Sequence, residues 1–232
     1  MGDSFPETIE SDRLDPFPET IESDRLDPFP ETIESDRLRL EPFDPESVDV
    51  FERYGALADD PDPEDVYEHV PFSPPETPAD SLSFLEGAAE NRAEAESVTY
   101  LIRPRDGEPD AGEIAGTTTL FVQWERRTAE SAIVLRKPFW GRGYSGERAA
   151  AFLEVVFEHL DLDGFAVSCV VANERSRRAI STYVEAHGGR YDGRFRNLRA
   201  VDVEPADLHR FSIDREEYLT ATESSSIETL IG

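Results

Sequence analysis

Residues 141 to 146 read Gly-Arg-Gly-Tyr-Ser-Gly and run into Glu147 and a stretch rich in alanine, phenylalanine and valine. Glycines at this spacing let successive backbone N–H groups approach an anion, and a helix starting just after them turns its positive end toward the same point. A phosphate-bearing ligand is the chemistry such an arrangement serves. Local charge agrees, because residues 136 to 148 hold Arg136, Lys137, Arg142 and Arg148 against Glu147 alone, within a chain of net charge -28. A second basic cluster, Arg175, Arg177 and Arg178, opens a later predicted helix. Either cluster alone fits a solvated helix face, whereas two of them after successive strands predict an anion cleft.

The same six residues also satisfy G-x-G-x-x-G, the dinucleotide fingerprint. In that fold the glycines end an apolar strand directly, but here Lys137-Pro138-Phe139-Trp140 intervenes. A ribose-binding acid should close the next strand, yet Val170-Val171-Ala172 ends in Asn173, with Glu174 as the nearest acid and Asp161 and Asp163 ahead of the strand. A kinase glycine loop would need downstream His-Arg-Asp and Asp-Phe-Gly segments, which the chain lacks.

The elements that must position this loop follow from periodicity. Leu38-Arg39-Leu40-Glu41-Pro42 alternates as a first strand; residues 46 to 57 and 80 to 94 suit helices, the second N-capped by Asp80 or Ser81. Strand-like runs cover 97 to 103, 113 to 122 and 128 to 136. The glycine turn then leads into a helix through about Leu160, followed by a strand at 164 to 171, a helix from about 174 to 187 closed by Gly188-Gly189, and a strand near 207 to 215. That order predicts an α/β mixed sheet with helices on both faces.

The 232 residues suit one domain with tails. The opening 36 residues repeat Phe-Pro-Glu-Thr-Ile-Glu-Ser-Asp-Arg-Leu-Asp-Pro from Phe5, Phe17 and Phe29, the third copy departing at Arg39. Three acidic, proline-punctuated copies offer little apolar surface, which predicts a disordered tail over 1 to 35, a domain over 36 to 218 and a C-terminal tail over 219 to 232. The negative charge argues against nucleic acid and anionic membranes as partners. No apolar run is long enough to span a bilayer, so a cytoplasmic protein is expected. Lys137 is the only lysine. Such an acidic, lysine-poor surface resembles proteins of extreme halophiles, whose molar salt, with a Debye length of about 3 Å, screens self-repulsion. Cys169 lies in an apolar alternation and reads as a buried thiol rather than a nucleophile, and the four histidines show no metal-ligand spacing, so no metal is expected.

Trp140-Gly141-Arg142-Gly143-Tyr144-Ser145-Gly146-Glu147, an apolar helix, and then Asn173-Glu174-Arg175-Ser176 together resemble the GNAT superfamily of acetyltransferases, and within it the Rim-type enzymes that acetylate N-termini of ribosomal proteins. Gly116-Thr117-Thr118-Thr119, Ala129-Glu130 and Arg210-Phe211-Ser212-Ile213 extend the resemblance over about residues 36 to 218. It departs from the pattern at Pro138 and Ser145. It departs again at Ile180, where many relatives place a tyrosine seven residues after the asparagine; Tyr183 lies on another helical face, and the helix is about one turn longer than usual.

The resemblance implies a splayed, mostly antiparallel sheet and direct attack of an amine on the thioester of acetyl-CoA. It implies that Gly141, Arg142, Gly143, Tyr144, Ser145 and Gly146 bind the cofactor's pyrophosphate, that the backbone of Ile133, Val134 and Leu135 binds its arm and polarises the carbonyl, and that Asn173 holds the arm from the other side. Ser176 is placed by the motif to give a proton to the leaving sulfur or, alternatively, to cap its helix. Glu130 is the candidate base, or else a solvated glutamate. The acceptor is a primary amine, first a protein N-terminus such as that of a ribosomal protein and second an amino acid or polyamine, and the enzyme is expected as a monomer or homodimer. A dinucleotide oxidoreductase and a non-catalytic acyl-CoA sensor remain the competing classes.

Overall fold

A computed structural model describes residues 27–201 and 204–231. One eight-stranded sheet runs in the order β1-β2-β3-β4-β5-β6-β8-β7. The strands are β1 (Ile33–Glu34), β2 (Leu38–Pro42), β3 (Ser97–Pro104), β4 (Gly116–Gln123), β5 (Thr128–Leu135), β6 (Gly164–Val170), β7 (Arg190–Val201) and β8 (Glu204–Asp214). Every pairing is antiparallel except β5 with β6. The helices are α1 (Val50–Ala58), α2 (Pro63–Tyr67), α3 (Pro78–Ala93), α4 (Tyr144–Glu154), α5 (Glu174–Ala186) and α6 (Arg215–Ile231), with α4 prolonged by a π turn over Val155–His159. The mixed α/β sheet with helices on both faces matches the expectation from periodicity.

Strand β3 is buried along nearly its whole length because both faces of the sheet are covered there. On one face Phe152, Leu153 and Val156, together with α5's Ile180 and Val184, pack on Leu38, Tyr100, Leu120 and Phe211. On the other, Leu85 of α3 packs with Phe43, Val48, Leu101 and Ile114. Helix α3 starts at a capping box of Thr77 and Asp80, so its N-cap is Thr77 rather than Asp80 or Ser81.

The parallel pairing decides where a site can exist. It begins at Thr128↔Gly164 and ends at Ser131↔Val167. Beyond that point β5 stays with β4 as far as Leu135↔Gly116, while β6 stays with β8 as far as Val170↔Leu208. The two strands part and leave an open wedge in the middle of the sheet.

The third repeat copy is part of the folded body, which corrects the tail predicted over 1 to 35. Phe29 is 4 % exposed, and the Pro30 carbonyl accepts from the Tyr100 hydroxyl at 2.6 Å. Asp27 pairs with Arg92 at 2.5 Å. Residues 1–26, with the first two copies as far as Leu26, lie outside the described residues. The predicted C-terminal tail is corrected as well, since α6 continues to Ile231.

This docked copy also holds the start of α4. Ser35 Oγ and the Arg37 amide donate to Glu147 Oε1 at 2.6 and 2.7 Å, and Arg37 Nε donates to Oε2 at 2.7 Å. Burial pushes the Glu147 carboxyl up, but these hydrogen bonds outweigh it and hold the group below the usual carboxylate range.

Truncation tests the corrected boundary. Removing residues 1–26 should leave the melting temperature unchanged in high salt. Removing 1–35 deletes buried Phe29, worth about 3 kcal/mol, and should lower it by roughly 6–12 °C. A depressed carboxylate contributes stability that is present above its unfolded pKa and lost as pH falls through the folded value. The melting gap between the parent and Glu147→Gln should therefore be full above the ordinary glutamate pKa of about 4.3 and shrink as pH falls below it. A gap that does not change with pH would contradict the assignment.

Candidate active site

A cavity of about 1270 Å³ fills the wedge between β5 and β6 and reaches both faces of the sheet. On the α4 face it is lined by Ile133, Leu135, Val167, Cys169, Arg148 and Tyr183, and at its mouth by the glycine loop and the start of α5. On the other face Thr99, Thr117, Thr119, Phe84, Phe72 and His69 form a groove. The wedge thus joins two chambers.

The loop is built for an anion. Gly141 and Gly143 have φ of +76° and +82°, the left-handed region that glycine enters without penalty. The amides of residues 141–145 find no acceptor among the described residues; the first turn's return bonds begin with Gly146 N–H donating to the Gly143 carbonyl at 3.1 Å. Five neighbouring donors at a helix N-terminus form a nest for phosphate oxygens.

Of the basic side chains counted in the sequence, Arg136, Lys137 and Arg142 are engaged elsewhere, whereas Arg148, Arg175 and Arg178 line the cavity. Arg142 pairs with Asp110 at 2.7 Å, and Tyr144, its ring buried, donates its hydroxyl to Glu108 at 2.8 Å. Lys137 is held by Asp62 and Asp65, and Arg136 donates to the Ile114 carbonyl at 2.8 Å. The backbone amides of Arg142 and Tyr144 are left free, while their side chains brace the loop against residues 108–110. The cationic side chains left facing the mouth come from α5. Arg175 stacks over the Trp140 ring at 4.0 Å, and Arg178 lines the cavity.

Ile133, Val134 and Leu135 lie beyond the last β5–β6 pair, with one edge open to the wedge. The Leu135 carbonyl already accepts from Trp140 Nε1 at 2.8 Å, which fixes the loop's leading aromatic against the strand. Asn173 is the N-cap of α5, its Oδ1 accepting from the Ser176 amide at 2.9 Å. Its amide NH2 group remains for a ligand. Ser176 is half-buried and lines the cavity, so the structure brings both together with the loop.

Glu130 stands apart. In the β4–β5 register it is paired with Phe121 on the groove side of the sheet, its carboxylate is 3.5 Å from Arg210, and it is not among the lining residues. Tyr183, set aside on helical periodicity, does reach the cavity, where α5 packs against α4 beside Gly146. Burial pushes its phenol up to about 12 and the Cys169 thiol up to about 11, so neither ionises near neutrality. Arg148 is the other residue the sequence reading did not single out. It sits among the apolar positions of α4, spaced four residues from both Tyr144 and Phe152, a signal its place in a basic run obscured.

Residues 37–183 match the GNAT acetyltransferase domain. The chain belongs to that family and is an acetyl-CoA-dependent acetyltransferase. Solved structures of the same fold include a GCN5-related N-acetyltransferase from Brucella melitensis, 22 % identical over 87 % of this chain and 86 % of that one at a TM-score of 0.72. A ribosomal-protein-serine acetyltransferase from Vibrio cholerae is 17 % identical over 79 % and 97 %, at 0.64. The microcin C7 self-immunity acetyltransferase MccE, solved with acetyl-CoA and AMP, is 16 % identical over 81 % and 98 %, at 0.66. No curated protein matches the chain.

Gly143→Val would force a β-branched residue to φ +82° and set its Cβ 3.3 Å from Arg37 Nη2. Disturbing the nest should cost at least two charge-assisted hydrogen bonds of about 1.5–3 kcal/mol each, which lowers acetyl-CoA affinity by at least about a hundredfold in calorimetric titration. A folded variant that binds as tightly as the parent would remove the loop from the site.

Proposed function

We propose that the chain transfers the acetyl group of acetyl-CoA to a primary amine, and that the preferred acceptor is a protein N-terminal α-amine. The observation that carries the reading is the conjunction of free loop amides at 141–145 with the wedge beyond Ser131. The amides hold the pyrophosphate, and the open edge of Ile133–Leu135 holds the arm and orients the thioester carbonyl. Asn173 binds the arm through its free NH2 group. Ser176 donates to the sulfur as it leaves.

The groove on the opposite face supports the choice of acceptor. Its threonines and exposed Phe72, Phe84 and Phe121 suit an extended peptide, and the exposed carboxylate of Glu68 at its edge favours an amine. An α-amine with a pKa near about 8 is neutral far more often at pH 7 than a lysine near about 10.4, so no strong base is needed. Glu130, tied to Arg210, takes up the proton only across intervening water. The Vibrio cholerae neighbour of the same fold carries the name of a ribosomal-protein-serine acetyltransferase, which favours a protein N-terminus over an amino acid or polyamine. The acidic surface supports work in molar salt, where that acceptor is met by shape more than by charge.

Turnover should be measured in high salt across peptides with free and blocked N-termini, free amino acids and polyamines. Free N-terminal peptides should be acetylated fastest, with a rate that rises to about pH 8 and then levels. Faster turnover of a polyamine would replace the acceptor assignment, and no turnover of any amine would favour a sensor. Ser176→Ala should bind acetyl-CoA normally and lower kcat.

A further inference from the structure

The floor of the wedge holds a cation with no anion. Arg148 is 1 % exposed and lines the cavity, donating from Nη1 to Ser131 Oγ at 2.9 Å with its guanidinium over the Phe152 ring at 5.2 Å. Among the described residues no carboxylate pairs with it, and its Nε has no hydrogen-bond partner. The Tyr183 hydroxyl, buried beside it, feels the guanidinium as its neighbour but completes no hydrogen bond of good geometry. Three nearby basic groups are paired instead: Arg37 with Glu147, Arg142 with Asp110 and Lys137 with Asp62 and Asp65. A buried charge left uncompensated costs several kcal/mol, so its natural complement is an anion that arrives with the ligand. Burial pushes the Arg148 pKa down, the mark of an unsatisfied cation, yet a guanidinium stays protonated.

We propose that Arg148 is a catalytic residue that stabilises the coenzyme A sulfur as a thiolate while the thioester breaks, its guanidinium fixed by Ser131 and flanked by the Tyr183 hydroxyl. The inference rests on the acetyltransferase reading above and adds to it the group that receives the developing charge. Ser131 is the last β5 residue paired with β6, so the guanidinium sits at the point where the strands part. It lies one helical turn beyond Tyr144, whose amide belongs to the phosphate nest. A ligand with its phosphates on that nest and its arm along Leu135, Val134 and Ile133 ends at Ser131 and Arg148.

In the transfer the amine lone pair forms the C–N bond, the C–S bond breaks, and its electron pair passes to sulfur. The ammonium proton leaves by water. The thioester is neutral and the thiolate anionic, so the cation's attraction is realised fully only as the bond breaks, which makes it catalytic rather than merely binding. Tyr183, its phenol held protonated, is a second donor to the same sulfur.

The test compares coenzyme A with desulfo-coenzyme A, binding each to the full chain by calorimetry in molar salt from pH 6.5 to 9.5. If the bound thiol pKa is depressed below about 8.5, coenzyme A should tighten as pH rises through the bound value and level off above the free one. One unit of depression gives about a tenfold gain. Desulfo-coenzyme A should show no such gain. Arg148→Met should fold with an unchanged or higher melting temperature, abolish the pH-dependent gain and lower kcat at least about a hundredfold with little change in KM. Arg148→Lys should keep part of both. Equal pH dependence of the two ligands in the parent overturns the role of Arg148 while leaving the acetyltransferase reading intact, and that comparison decides even if Arg148→Met does not fold. Retention of the gain in a folded Arg148→Met also overturns it. Failure of either ligand to bind the parent would instead overturn the acetyltransferase reading and this inference with it.

Discussion

A sheet satisfies its backbone by continuous pairing, and every buried N–H or C=O left out of the ladder has to be met by something else. Here the parallel pairing of β5 and β6 stops at Ser131↔Val167 although both strands continue. That interruption creates the wedge, leaves the edge of Ile133–Leu135 open, and connects the chamber beneath α4 and α5 with the threonine-lined groove on the other face. The second unpaired stretch, the amides at 141–145, lies at the mouth of the same wedge. Both vacancies are polar, adjacent and continuous, which is why a long ligand carrying phosphates at one end and a reactive carbonyl at the other suits them.

Much of the remaining structure keeps these vacancies from collapsing. Trp140 is fixed by its bond to the Leu135 carbonyl and by the overlying Arg175, and Tyr144 and Arg142 anchor the loop to Glu108 and Asp110. The docked repeat segment bonds Glu147 with Ser35 and Arg37 and reaches the loop itself, Arg37 Nη1 donating to the Arg142 carbonyl at 2.9 Å. Several basic side chains of this strongly acidic chain thus brace the loop, and its main-chain donors at 141–145 stay free.

What was legible beforehand follows from which physics acts locally. The glycine spacing, the strand alternation of 97 to 103 and 128 to 136, and the asparagine and serine opening α5 all depend on short-range geometry and were read from the chain. Strand β7 was not, because Gly193 and Asn197 have positive φ and register shifts fall between Tyr191 and Gly193 and between Phe195 and Arg199, which breaks the two-residue period. Helix α6 carries too weak an apolar stripe to announce itself. The docking of Phe29 was hidden because its partners, Arg92 and Tyr100, are more than sixty residues away. Arg148 and Tyr183 were missed for a related reason: each looks ordinary on its own helix and acquires meaning only where α4 and α5 meet over the wedge.

The proposed site stands on the free loop amides at 141–145 and the open edge of Ile133–Leu135 acting as one. Amide hydrogen exchange resolved to single residues, with and without acetyl-CoA in molar salt, tests it most directly. Residues 141–145 and the wedge-facing amides of Ile133 and Leu135 should gain protection together, at the same ligand concentration, while the far edge at β7 does not change. Protection confined to one stretch, or none at saturating acetyl-CoA, would contradict it.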